Sequence, residues 1–170
     1  MSTKRMTADE KKYALLDSLQ QVRGEILQAA RRFRPGEESI PFVGVWSLLD
    51  LLAHLAGWDV ANRQAAQEVL GGMIPSFYQH QGKDWASYNA LLVSEYGQDT
   101  LAEMLAVVEG TQRELIATLE TLPAKDLFAD HGVRVGSYRV IISRLLEAER
   151  KDETRHLRQI VAFLDERNVV

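Results

Sequence analysis

The chain has 170 residues, 46% of them hydrophobic, a formal net charge of -4 and no cysteine. That length and apolar content suit one domain over residues 1–170. The acidic balance with scattered basic residues excludes a nucleic-acid partner, and the missing cysteine excludes disulfides, thiolate nucleophiles and cysteine-ligated zinc.

Helical periodicity dominates the chain. Residues 1–7 are expected to be a flexible tail. A first helix is expected over about 8–33, with Leu15, Leu19, Val22, Ile26 and Phe33 at helical spacing and Pro35-Gly36 as its stop. Ser47 is the expected N-cap of a second helix over about 47–70, with Asp50 in the capping-box position and Gly71-Gly72 at the end. A loop over 71–83, containing Pro75 and Gly82, leads to a short helix over about 84–96 that carries Trp85, Tyr88 and Leu92. A third long helix, about 99–121, repeats Leu101, Leu105, Val108, Leu115 and Leu119 and stops at Pro123. Residues 122–136 form a connector, and the last helix runs from Ser137 to about 166. The expected fold is all-α: an antiparallel four-helix bundle with one extra short helix at about 84–96. No apolar run reaches the length of a membrane span and the first residues carry no secretory core, so no membrane partner and a cytoplasmic location are expected.

The last helix has a polar hole in its apolar stripe. Ile141, Leu145, Ile160 and Phe163 share a face with Glu149, Asp152 and His156, and residues 149–156 contain no aliphatic side chain. Burying unpaired charge costs several kcal/mol, and a metal or a reactive pocket is a common reason to accept it. Asp152 and His156 are four residues apart, so they project from one face as a half-site for a divalent ion. His54, at the edge of the Leu51–Trp58 stripe of the second helix, completes a set of two imidazoles and one carboxylate if those helices are neighbours. Three protein ligands leave open positions for water or substrate. Read against this, the polar stretch is a solvated face or an interface. Glu149 has three readings: a general base, a hydrogen-bonding partner of a ligand, or a solvated side chain. Trp58 and Tyr138 read as core side chains that can also line a pocket, Asp59 as a hydrogen-bonding residue, and His80 and His131 as surface histidines.

The segment Trp46–Asp59 (WSLLDLLAHLAGWD) and the segment Asp152–Ile160 (DETRHLRQI) resemble, in this order, the helix-two and last-helix motifs of the DinB-like (YfiT-like) superfamily. Glu153, His156, Gln159 and Ile160 fit the family's His-Glu-x-x-His-x-x-Gln-Ile/Leu pattern, whereas Asp152 stands where the first histidine is usual. The resemblance implies metal ligation by His54, Asp152 and His156, with zinc or nickel favoured and iron or manganese as alternatives. It also implies a small-molecule substrate, hydrolysis or transfer that uses a low-molecular-weight thiol, and a homodimer. The helix-two segment is also similar to the family's colibactin self-protection branch, so the alternative expectation is a metal-free protein that binds or sequesters a small molecule, or a dimeric interaction module.

Overall fold

The computed structural model describes residues 6–80 and 84–167. The protein is mostly helical. Its α-helices are α1 (Ala8–Ala30), α2 (Leu48–Leu70), α3 (Trp85–Tyr96), α4 (Leu101–Thr121), α5 (Ala124–Phe128) and α6 (Ile142–Arg167). Arg134–Val135 (β1) and Tyr138–Arg139 (β2) form a small antiparallel hairpin.

Local chemistry accounts for most boundaries. Thr7 caps α1 through a capping box with Glu10, and Ser47 caps α2 through the same device with Asp50. Thr7 therefore belongs to a structured helix start; residues 1–5 of the expected tail, and Gly82 of the expected loop, lie outside the described residues. Pro123 ends α4 and opens the unforeseen short helix α5, whose Leu127 is fully buried. The Lys12 ammonium is buried and donates to the Glu120 and Leu122 carbonyl oxygens at 2.8 and 2.6 Å, satisfying the carboxyl end of α4.

The last helix does not begin at Ser137. Gly136 takes φ +58 and turns the chain between Val135 and Tyr138. Val133 and Val140, buried on either side, are joined by a Val140 N–H to Val133 carbonyl bond of 3.1 Å. Residues 133–140 alternate apolar and polar on each side of the turn, so the local period is two and a hairpin wins over the helix.

The core lies in two apolar clusters. One holds Leu15 and Leu19 of α1, Val69 of α2, Leu115 and Leu119 of α4, and Leu146 of α6. The other holds Ile26 of α1, Leu51 and Leu52 of α2, Met104 of α4, and Ile160 of α6. The first thus joins the beginnings of α1 and α6 to the ends of α2 and α4. Direct packing is α1 on α6, α2 on α4, and α2 on α6. So α1 and α6 run one way while α2 and α4 run the other, which differs from strict up-and-down alternation. The cause is α3, which packs on α2 and carries the chain back before α4 begins. Among the described residues, no helix is long and apolar enough to cross a membrane.

α3 approaches α2 closely at Gly57. A Cβ added there would lie 2.7 Å from the Leu92 Cβ, closer than van der Waals contact permits. Gly57→Ala should lower stability by about 1–2 kcal/mol, because overpacking outweighs the roughly 1 kcal/mol helix-propensity gain. Urea unfolding of Gly57→Ala, alone and combined with Leu92→Gly, which removes the clashing Cβ, checks this; a loss in the double variant smaller than the sum of the two single losses is the expected result.

Candidate metal centre and pocket

His54 and His156 come from different helices and are both 2% exposed. Their Nε2 atoms meet a single oxygen, Oδ2 of Asp152, at 3.2 and 3.1 Å. The two imidazole rings stand at 79° with centroids 5.3 Å apart. One ligand atom from each of the three residues lies within 4.8 Å of the others, so the group can hold a metal ion. His156 Nδ1 donates to Gln159 Oε1 at 2.7 Å, which directs its Nε2 at the carboxylate. His54 is packed between Trp46 and Trp58, with ring centroids 5.0 and 6.4 Å away, and its Nδ1 has no partner among the described residues.

The electrostatics reinforce this geometry. Burial lowers the proton affinity of His54, against the pull of Asp152, and keeps the imidazole in its neutral, ligating form. Burial alone would raise the Asp152 carboxyl; hydrogen bonds from His156 and His54 overrule it and hold the group well below the usual carboxylate range. The second Asp152 oxygen pairs with the exposed Arg155.

A separate buried cluster lies beside these residues. Arg23 of α1 is 0% exposed. It donates from Nε and Nη2 to the two Glu153 oxygens at 3.0 and 2.8 Å, and from Nη1 and Nη2 to the two Asp59 oxygens at 2.8 and 3.0 Å. A longer bond of 3.3 Å reaches the Val108 carbonyl. These bonds use all the N–H groups a guanidinium has. Thr111 donates to Asp59 at 2.7 Å, and Asn62 donates to Glu149 Oε2 at 2.6 Å. Oxygens of Asp59, Glu149 and Glu153 lie within 4.8 Å of one another. Burial, followed by the charges of Asp59 and Glu153, pushes the Glu149 carboxyl well above its ordinary range, so Glu149 keeps its proton.

Glu149, Asp152 and Glu153 share a pocket of about 370 Å³ with His54, Trp58 and Asn62. Its opposite wall is aromatic and comes from α2, the Ser76–Gln79 turn and α3. The rings of Trp58, Phe77, Tyr78 and Trp85 touch in sequence, with centroid separations of 5.3, 4.6 and 5.8 Å, and Trp85 returns to Trp58 at 5.8 Å. Trp58 Nε1 donates to Asn89 Oδ1 at 2.9 Å, tying α3 to α2. Trp58 thus lines the pocket. Tyr138 is not among the lining residues: it sits 43% exposed on β2, because the hairpin replaces the first turns of the expected helix. His80 and His131 bond locally, to Ser87 and to the Asp126 carbonyl, and take no part.

Sequence reasoning missed Arg23, Asn62 and the inward turn of Glu153. Arg23 did carry a signal: it follows Leu19 by four residues and precedes Ile26 by three, on the buried stripe of α1. No known family model matches the chain, and comparison with curated proteins and with solved structures finds no match.

Two outcomes follow from the buried cluster. Arg23→Ala strands two carboxylates and should cost about 3–5 kcal/mol in urea unfolding. Glu149→Gln keeps the shape while removing the titration. Because the folded Glu149 binds its proton above the ordinary value of 4.5, its stabilising contribution is complete below that value and is lost as pH rises. The unfolding free energy of Glu149→Gln minus that of the unaltered protein should therefore grow between about pH 5 and about pH 7, by up to roughly 1.4 kcal/mol per pH unit. A gap independent of pH would show that Glu149 ionises normally.

Proposed function

We propose that this chain is a DinB-like, four-helix-bundle protein that holds one divalent ion through His54, Asp152 and His156 and acts on a small molecule in the adjoining pocket. The observation that carries this reading is the convergence of two imidazole Nε2 atoms on one Asp152 oxygen, with Gln159 orienting His156 from behind. A neutral imidazole lone pair repels a carboxylate oxygen unless a proton or a cation lies between them. Two nitrogens and one oxygen suit zinc or nickel better than the harder cations. When bound, such an ion supplies Lewis acidity for hydrolysis or for transfer that uses a thiol.

The chain's own residues do the rest. The aromatic wall excludes water from one side of the pocket and orients an apolar substrate. Glu149 lines the same pocket, its Oε2 held by the Asn62 amide. A metal-free binding protein is the second reading. It is favoured by Arg155, which satisfies the other Asp152 oxygen without any ion.

Elemental mass spectrometry on untagged protein tests the proposal. About one equivalent of zinc or nickel is expected, absent from His54→Ala and from His156→Ala, with Gln159→Ala binding roughly 10–100-fold more weakly. Stoichiometric metal in the histidine variants would place the ion outside this centre, and none in the unaltered protein after reloading would assign the pocket to metal-free binding.

A further inference from the structure

We propose that the ion-loaded pocket between α2, α3 and α6 selects an aryl carboxylate, its ring against Trp58 and Trp85 and its carboxylate at the Arg155 guanidinium. This assignment rests on the metal reading above and names the ligand class of that same site.

Three observations carry it. The first is which charges a ligand can reach. Glu153 lines the pocket but is 1% exposed and gives both oxygens to Arg23. Glu149 lines it too, yet its Oε2 is taken by Asn62 and its Oε1 is shut off from the surface. Asp152 and Arg155 remain, with side chains 30% and 65% exposed. The second is the balance between those two. Arg155 spends Nη2 on Asp152 Oδ1, and no other bond holds its guanidinium among the described residues. Without an ion the pair is neutral. A divalent ion on His54, Asp152 and His156 adds two positive charges to that of Arg155, against the single charge of Asp152, and imidazole ligands bind as neutral groups. In the buried layer behind, the Asp59 and Glu153 carboxylates outnumber Arg23 by one, too few to reverse the sign. A guanidinium fork with free N–H groups matches the two oxygens of a carboxylate. The third observation is Trp85. It lines the pocket and touches Trp58 and Tyr78, yet stays 51% exposed. A large ring left open beside a cavity offers a face for a flat apolar body to cover. Arg155 of α6 and Trp85 of α3 line one cavity of about 370 Å³, a volume that accommodates a bicyclic ring with a short acidic side chain.

Isothermal titration of the zinc-reloaded full chain with indoleacetate, its alcohol analogue tryptophol and the cation tryptamine tests the proposal, with zinc counted by elemental mass spectrometry on the same samples. The probes share one ring system and differ in terminal charge. Indoleacetate should bind at least about tenfold more tightly than tryptophol, and tryptamine should bind most weakly. Arg155→Gln should cut indoleacetate affinity about tenfold while leaving tryptophol affinity and zinc content unchanged. Trp85→Ala should weaken indoleacetate and tryptophol alike. In chelated protein the preference for the acid should vanish. Zinc-loaded protein that binds tryptophol as tightly as indoleacetate, that binds neither, or that keeps its preference in Arg155→Gln overturns the proposal and leaves the metal reading standing. A chain that holds no zinc after reloading overturns the metal reading, and this proposal with it.

Discussion

Arg23 lies where α1, α2 and α6 meet, and its guanidinium is held in two bidentate pairs by carboxylates from the other two helices. The bond to Val108 and the Thr111 hydroxyl on Asp59 draw α4 into the same layer. The two apolar clusters lie on either side of this layer. Such a layer fixes helix register more sharply than aliphatic packing can, since sliding one helix by a turn would drive a guanidinium among leucines at a cost of several kcal/mol. It also sets the rotation of α6. With Glu153 turned toward Arg23, Asp152 lies about 100° around the helix, on the side where His54 stands. The imidazole–carboxylate group is therefore positioned by a salt bridge to which it contributes no atom.

The helices were legible in the sequence because their signals are local. Ser47 with Asp50, Gly71-Gly72 and Pro123 act within a few residues of where they stand, and the structure uses each of them. The polar stretch of α6 was legible as a buried feature for the same reason. What it buries against was not. Asp152 and His156 face His54, while Glu149 and Glu153, also four apart, face the Arg23 layer. One wide stripe thus serves two clusters, and a wheel drawn for a single helix cannot divide it. The decisive partner of Glu153 lies 130 residues away. The hairpin was missed because strands of two residues give too short a period to compete with the helical pattern that follows.

The same polar layer burdens the fold. Three carboxyl groups crowd beside one guanidinium that pairs with only two of them, and burial with the charges of Asp59 and Glu153 raises the pKa of the third, Glu149. Natural cores avoid such arrangements where packing alone is at stake, and tolerate them where a site needs a preorganised field. Here two members of the layer, Glu149 and Glu153, also line the pocket.

Trp46 stands at the turn before α2, its ring 5.0 Å from His54, and Trp58 stands one turn beyond on the other side. Two of the three tryptophans of the chain therefore flank one of the two buried imidazoles of the candidate centre. Indole emission is quenched by electron transfer to a protonated imidazole and by a nearby open-shell ion. The protein consequently carries a built-in optical gauge of that centre: protonation of the imidazole, or an open-shell ion held beside it, would dim the emission without any label.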